Sequence, residues 1–396
     1  MLGVRSVSGP REARVGDEVV YTVDAFSEPS PPARDTQKVN WLVKSADGAA
    51  LAHKLLEGPV LRLTVPETWA GETAIVMPYM KSPSAGIAVR TNVSSRAVLQ
   101  SSRVAVREVE VFRQAGKFYA SISGDPRFFL GTRVNYETRR GLMNSLNPPG
   151  TRYRSEDYEA AHGHWAWYLT PTIQCESHGF FTCLNTYDRA CLTFGHMQLA
   201  AHTPDDNFAP FFREILADPS AAEYFPDLTV KRGRIHRVDN GITTQLESAT
   251  DTRGLMRYFN DSPDDVDEQE AGRAARLVDW CMRYPAVRDC QVAFTVNQQR
   301  RKFEMHARKL RLAGVVDKLC LVILDILHQG RGRYPTIAAA VASDHPFDAL
   351  LSIGAARFPE RVTTLRAAIR DLEARDIVGE RVWDPVTKDF VVPSQA

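Results

Sequence analysis

The run LCLVILDIL at residues 319–327 constrains the fold more than any other feature of this sequence. The pattern from Gly314 to Gly330 predicts one helix, and it is apolar on nearly every side. A helix of this kind is stable only where other helices enclose it. The run is too short to span a bilayer and contains Asp325, so we expect no transmembrane segment. We therefore expect a helical domain built around this segment.

A second helix is predicted in FPERVTTLRAAIRDLEARD, near the end of the chain. Pro359 lies in its first turn, and Val362, Leu365, Ile369 and Leu372 have the spacing of a buried helix face. Beyond Pro149 the pattern is helical, with loops rich in Asp, Pro and Gly. These features predict a mainly α domain over residues 151–396.

The N-terminal part of the chain has the period-two pattern of short strands. The clearest examples are EVVYTVDAF, VLRLTV and GIAVRTNV, and Trp41 in KVNWLV is a candidate central aromatic residue. This pattern predicts an all-β sandwich of immunoglobulin-like shape over residues 1–97. Residues 98–150 keep the alternation for a time and then break at Gly and Pro, which predicts a β-rich connecting segment. The chain is therefore expected to be multidomain.

Composition limits the functional classes. The 396 residues are 44% hydrophobic and carry 49 basic against 48 acidic side chains, as in a soluble globular protein. A net charge of +1 gives no long-range attraction to nucleic acid or to an anionic membrane. The N-terminus lacks the apolar core of a secretory signal, so we expect synthesis in the cytoplasm.

The segment CESHGFFTCLNTYDRACLTFGHMQLAAHTP, residues 175–204, concentrates the reactive side chains. A short helix is predicted just before it, with Thr170 as its cap, Pro171 in its first turn and Gly179 as the left-handed residue past its end. Glu176 then lies in the last turn. The helix dipole and neighbouring aromatic rings both disfavour a carboxylate there, so we expect a raised pKa and a general acid.

Asp188 follows twelve residues later, and the run GHMQ begins at Gly195. Glu176-Ser177-His178, Asp188-Arg189 and Gly195-His196-Met197-Gln198 together resemble the motifs of goose-type lysozymes and lytic transglycosylases in the lysozyme-like superfamily. The resemblance covers about thirty residues. It implies a lysozyme-like fold and a glycosidase that needs no cofactor and no metal.

The resemblance also implies roles for particular residues. Glu176 corresponds to the acid that protonates the glycosidic oxygen, and Asp188 to the first supporting aspartate. The expected substrate-binding residues are Ser177, Tyr187, Gly195, His196, Met197 and Gln198. Ala200 occupies a place where those lysozymes can have another aspartate, so either Asp188 activates water or Glu176 acts alone, as in a lytic transglycosylase.

Other interpretations remain open. His162 and His164, with Cys175, His178 and Cys183, are possible zinc ligands, although their spacing fits no compact frame. Cys191 and His196 are a possible nucleophile pair. Disulfides are possible among Cys175, Cys183 and Cys191, and between Cys281 and Cys290. Trp165 and Trp167 either stack on sugars or fill the core. Asp325, with His328 and Gln329, either reaches the cleft or is a buried polar group that holds two helices in register.

We therefore expect a peptidoglycan muramidase or lytic transglycosylase. Its partners are expected to be glycan strands, with a secretion-machine component and an immunity protein as further candidates, and neither nucleic acid nor inserted membrane. The N-terminal domain would act as an adaptor, and the enzyme would act in the periplasm as an antibacterial effector of a contractile type VI secretion system. The alternatives are a chitosanase-like glycosidase and a non-catalytic glycan-binding or structural protein.

Overall fold

The computed structural model describes residues 2–46, 50–56, 58–84, 86–94, 106–262 and 264–393. The chain divides into two compact units, one of residues 1–105 with 229–234, the other of residues 106–228 with 235–396. The protein is thus multidomain and contains both sheets and helices, as predicted. The expected boundary near residue 98 lies outside the described residues.

The first unit is formed mainly by strands. They are β1 (Val4–Ser8), β2 (Glu12–Arg14), β3 (Glu18–Phe26), β4 (Asn40–Lys44), β5 (Ala50–Leu56), β6 (Val60–Thr64), β7 (Thr73–Tyr79) and β8 (Val89–Ser94), with the short helix α1 (Ala33–Thr36). One sheet has the order β1-β3-β6 and the other β2-β8-β7-β4-β5.

The hydrophobic core of this unit is formed by the alternating apolar residues predicted from the sequence. Val19, Tyr21 and Val23 on β3 are buried, while the residues between them are more exposed. Trp41 is fully buried, as expected of a central aromatic residue, and its indole N–H donates to the carbonyl of Gly58 at 2.9 Å. One hydrophobic cluster therefore joins residues of both sheets.

The second unit begins with a sheet. Its strands are β9 (Val109–Gln114), β10 (Lys117–Ile122), β11 (Phe128–Tyr136), β12 (Arg139–Met143), β13 (Leu184–Asn185), β14 (Thr193–Phe194) and β15 (Leu199–Ala200). These strands pair in sequence order in one seven-stranded antiparallel sheet. Residues 106–150, which the sequence separates as a connecting segment, therefore share this sheet with the candidate site segment.

Helices form most of the rest of the second unit. The first group is α2 (Ser155–His162), α3 (His164–Tyr168), α4 (Thr170–Ser177), α5 (Phe208–Leu216), α6 (Ala221–Tyr224) and α7 (Arg253–Phe259). The second is α8 (Glu268–Arg283), α9 (Pro285–Leu310), α10 (Asp317–Gln329), α11 (Tyr334–Val341), α12 (Pro346–Ser352) and α13 (Pro359–Ala374). The remaining strands of the chain are β16 (Leu228–Lys231), which lies mostly in the first unit, and β17 (Arg234–Asp239), β18 (Ile242–Gln245), β19 (Val382–Asp384) and β20 (Asp389–Val391).

The two helices predicted most clearly are present. α10 is buried along most of its length and ends at Gly330, which is left-handed. α13 starts at Pro359, and its buried residues are Val362, Leu365, Ile369 and Leu372, the four predicted from spacing. An enclosed apolar helix therefore lies in the core of this unit, as expected.

All six cysteines lie in the described part of the second unit, and all are free thiols. The possible disulfides are therefore not formed. Burial raises the pKa of each thiol, to about 12 for Cys175, Cys183, Cys281 and Cys290.

Candidate functional site

Helix α4 carries Glu176 at its C-terminal end. Pro171, Thr172, Ile173 and Ser177 are buried, which anchors the helix in the core. Beyond Ser177 the chain turns through His178 at φ 53° and Gly179 at φ 91°, so the left-handed exit predicted at Gly179 begins one residue earlier. This turn ends the helix and fixes Glu176 in its last turn.

The predicted cap at the start of α4 is wrong. The helix continues from α3 with Leu169 in helical conformation, and no side chain caps it. Thr170 is the first residue of α4, and its hydroxyl is 2.6 Å from the hydroxyl of Ser155. Because α3 leads directly into α4, the N–H groups at this end bond to the preceding turn, as in Ile173 N–H to Leu169 O.

The carboxylate of Glu176 contacts two side chains from other helices, those of Arg361 and His328. Arg361 Nη2 donates to Glu176 Oε1 at 2.7 Å, and His328 Nε2 is 3.3 Å from the same oxygen. Arg361 lies in the first turn of α13 and His328 in the last turn of α10. The side chain of Glu176 keeps 17% of its surface exposed, so it remains accessible to a ligand.

Arg361 is fixed in turn by Asp325. Its Nη2 donates to Asp325 Oδ1 at 2.7 Å and its Nε to Oδ2 at 3.2 Å, and Arg331 donates to the same Oδ2. The side chains of Asp325 and Arg331 have no exposed surface. Asp325 is therefore the buried group that holds helices together, one of the two roles considered from the sequence. It acts through Arg361 rather than by contacting Glu176.

These partners overturn the expected ionisation of Glu176. Burial alone would raise its pKa, as predicted from its surroundings, but the hydrogen bonds and charges of His328 and Arg361 outweigh burial and lower the pKa to about 2. Glu176 is therefore an anion at neutral pH in the free protein. His328 was among the residues expected from the sequence to reach the cleft, whereas Arg361, which lies 185 residues from Glu176, was not considered.

Ser177 and His196 join α4 to the turn between β14 and β15. Ser177 Oγ donates to the carbonyl of His196 at 2.8 Å. His196 is fully buried; its backbone N–H donates to Gln291 Oε1 at 2.8 Å, and its Nε2 is 3.1 Å from Thr295 Oγ1. Burial lowers the pKa of His196 to about 4, so the ring is neutral at pH 7. Both residues are therefore placed as supports of the site, with 1% or less of their surface exposed.

Gly195, Met197 and Gln198 complete this turn. Gly195 has φ 90°, and a Cβ there would lie 2.5 Å from Gln291 Oε1, so no larger residue fits. Met197 is buried. Gln198 Nε2 donates to the carbonyls of Gly195 at 2.9 Å and Cys183 at 3.1 Å, and its Oε1 lies 3.4 Å from Asn185 Nδ2. Gln198 is half-buried and is the member of this turn that keeps side-chain surface accessible.

Asp188 and Tyr187 lie in the loop between β13 and β14. Asp188 Oδ1 accepts the backbone N–H of Ala190 at 2.8 Å, and the Asp188 carbonyl accepts from Arg139 at 3.1 Å. The ring of Tyr187 lies 5.8 Å from that of Tyr136. Among the described residues, no hydrogen bond or ion pair joins Asp188 to Glu176. The loop therefore holds Asp188 through its own backbone.

The alternative sites find no support in the described residues. No group of three or more His, Cys, Asp or Glu side chains in that part of the chain is arranged to hold a metal ion. His196 hydrogen-bonds to α9 rather than to Cys191, and burial raises the Cys191 pKa, both unsuited to a nucleophile pair. Trp165 and Trp167 are 1% and 6% exposed, so they fill the core.

Glu270 on α8 is a second unusual carboxyl group that the sequence did not reveal. It is 2% exposed, accepts from the Thr186 hydroxyl and from the Leu142 N–H at 3.3 Å, and leaves Oε2 without a partner among the described residues. Burial raises its pKa to about 8. It supports β12 and the start of the Asp188 loop from inside the core.

No family model, curated protein or solved structure matches this chain. Within the described residues, no helix is long and apolar enough to cross a membrane.

Proposed function

We propose that this protein cleaves the glycan strands of peptidoglycan, as a muramidase or lytic transglycosylase, with Glu176 as its catalytic carboxyl group. In this proposal the second unit has a lysozyme-like fold and the first an immunoglobulin-like one. The proposal starts from the resemblance of the Glu176, Asp188 and Gly195–Gln198 motifs to those of goose-type lysozymes.

One structural observation carries the proposal. Glu176 is a partly exposed carboxylate at the end of a buried helix, fixed by Arg361 and His328 from two other helices. The Ser177–His196 hydrogen bond holds this helix end against the Gly195–Gln198 turn. The residues of two separate motifs are thereby brought to one place, which is the arrangement a catalytic acid and a sugar-lining loop require.

The low pKa of Glu176 defines the order of events. Glu176 must gain a proton before it can protonate a glycosidic oxygen, and the imidazole of His328, with Nε2 at 3.3 Å from Glu176 Oε1, is placed to pass one to it. A sugar that separates Glu176 from Arg361 weakens the charge stabilisation of the anion and favours proton transfer to the carboxylate. Asp188 then activates water in hydrolysis, or Glu176 acts alone and leaves an anhydro product.

Mass analysis of the products released from purified sacculi tests the proposal. Wild-type protein should release glycan fragments, with reducing ends after hydrolysis or anhydro ends after transglycosylation. Glu176→Gln should release none, while Glu159→Gln, an exposed change on α2, should match wild type. Fragment release by Glu176→Gln at the wild-type rate would overturn the assignment. Chitosan in a parallel digestion separates the chitosanase-like alternative.

A second candidate function is a glycan-binding protein without turnover. Two observations favour it: His328 and Arg361 keep Glu176 an anion, and Ala200 replaces a possible second carboxylate. In that case wild-type protein would bind sacculi and release neither kind of product.

The biological setting we propose is delivery as an antibacterial effector through a contractile type VI secretion system, with the first unit as adaptor and an immunity protein as antagonist. Directing the chain to the bacterial periplasm should then be toxic, whereas retaining it in the cytoplasm should not. Equal toxicity in both compartments would contradict this setting.

A further inference from the structure

The seven-stranded sheet of the second unit has two different faces. Phe118, Leu130 and Leu142 are at most 4% exposed and belong to the hydrophobic core. On the other face, Lys117 is exposed and Tyr119, Phe129 and Met143 are half-buried. The second face is therefore available to a ligand along these strands.

This face contains a groove of about 510 Å³, which we call the sheet groove. Its lining includes Lys117, Tyr119, Phe129, Thr132, Met143 and Leu146. The rings of Tyr119 and Phe129 meet edge to face, with their centroids 5.7 Å apart. Leu146 is 90% exposed, in the turn that follows β12. Such exposed apolar surface at the edge of a groove is characteristic of a binding surface.

The sheet groove continues towards the candidate catalytic site along one cross-strand row. Lys117 pairs with Thr132, Thr132 with Met143, and Met143 with Asn185. Directly paired residues lie on the same face of a sheet, and four neighbouring strands span about 14 Å. The row ends at Asn185, whose Nδ2 lies 3.4 Å from Gln198 Oε1 and whose Oδ1 has no partner among the described residues.

The lining specifies the chemistry of the ligand. Aromatic rings offer flat apolar surface to the C–H faces of sugars, and hydroxyl and amide groups offer hydrogen bonds. Among the described residues that line the sheet groove, Lys117 is the one charged side chain, and it is exposed. The groove therefore matches an extended glycan that carries few charged groups, with carboxylates among them.

We propose that the sheet groove binds the same glycan strand as the catalytic site, and that Lys117 pairs with the lactyl carboxylate of a sugar that carries no peptide. This inference rests on the proposed function for the identity of the strand. It adds a binding surface formed by β10–β12, which precede the motif segment in the chain.

Binding measurements in a Glu176→Gln background test this proposal independently of turnover. The two probes are glycan strands stripped of peptide, which carry lactyl carboxylates, and neutral N-acetylglucosamine oligomers. Tyr119→Ala and Leu146→Asp should each weaken binding to the stripped strands about tenfold. Leu146 is so exposed that its replacement leaves the core intact, and Val386→Asp, at an 86% exposed position, is the matched control.

Lys117→Gln should weaken binding to the stripped strands and leave binding to the neutral oligomers unchanged. Wild-type affinity in both Tyr119→Ala and Leu146→Asp would overturn the sheet groove as a glycan site. An equal effect of Lys117→Gln on both probes would overturn the carboxylate pairing. A failure of the proposed function is seen separately, as undiminished fragment release by Glu176→Gln.

Discussion

At the scale of single residues, two carboxyl groups of this protein have opposite protonation behaviour. Glu176 is near the surface and is held as an anion by Arg361 and His328. Glu270 is buried with hydrogen-bond donors and, among the described residues, has no cation in contact, so it keeps its proton to about pH 8. Charge partners rather than depth decide which group ionises.

Removing Arg361 should raise the pKa of Glu176. In wild-type protein the folded pKa of about 2 lies below the unfolded value of ~4.3, so Glu176 stabilises the fold above pH 4.3 and loses this contribution as pH falls towards 2. In Arg361→Gln we expect Glu176 to titrate at higher pH, measured by carboxyl carbon NMR. Arg366→Gln, one turn later on α13, should leave the titration unchanged.

Glu270→Gln should flatten the dependence of stability on pH. The folded pKa of about 8 exceeds the unfolded value of ~4.3, so wild-type protein loses stability as pH rises from 4.3 to about 8. Each pKa unit corresponds to about 1.4 kcal/mol. We therefore expect the free energy of unfolding, measured in urea, to fall less between pH 5 and 8 than in wild type. The control is Glu268→Gln, which is exposed on the same helix; a wild-type slope in Glu270→Gln would contradict the expectation.

At the scale of elements, α4, α10 and α13 are joined by one ionic network. Asp325 on α10 accepts from Arg361 on α13, which also donates to Glu176 on α4. Arg331, just beyond α10, pairs with Asp325 and donates to the carbonyl of Ile353 at 3.2 Å. The position of the Glu176 carboxylate therefore depends on how two helices distant in the chain pack.

Asp325→Ala should be strongly destabilising. It leaves two nearly buried guanidinium groups without their shared partner, and breaking a buried pair in this way costs about 3–5 kcal/mol. Asp348→Ala removes an ion pair whose aspartate is 66% exposed and should cost less than ~1 kcal/mol. Urea unfolding followed by circular dichroism measures both. Similar values for the two variants would show that the network contributes little.

The sequence was sufficient to predict the helices and strands that have a strong local pattern of hydrophobic residues. The bounds and buried face of α13, the enclosure of α10 and the alternation along β3 follow from hydrophobic spacing alone. The seven-stranded sheet was not predicted as a unit, because β13, β14 and β15 have two residues each and join it only where β13 pairs with β12, about forty residues away in the chain. A period of two cannot be recognised in strands this short.

The sequence predicted the position of Glu176 at a helix end but not the ionisation of its carboxyl group. Turn residues placed Glu176 at a helix end, and the structure brings Gly195–Gln198 to that end through Ser177. The ionisation was mispredicted because dipole and burial were visible in the sequence while Arg361 was not. A signal was present, since a charged Asp325 inside an apolar helix is stable only with a partner such as an arginine.

At the scale of the whole molecule, each unit has its own hydrophobic core. We therefore expect two unfolding transitions. Trp41→Ala should lower the free energy of unfolding of the first unit only, and Trp280→Ala that of the second unit only. Each loss should be about 3–5 kcal/mol, since both indoles are fully buried. Calorimetry measures the two transitions, and the loss of fragment release identifies the transition of the second unit. One shared transition that moves in both variants would contradict independent cores.

The six free thiols have a consequence for the life of the protein. Stability here comes from apolar packing and ionic contacts, without any covalent cross-link between distant parts of the chain. Because burial keeps these thiols protonated, they react slowly with oxidants. The molecule therefore needs no oxidative folding machinery, and its fold does not depend on the redox potential around it.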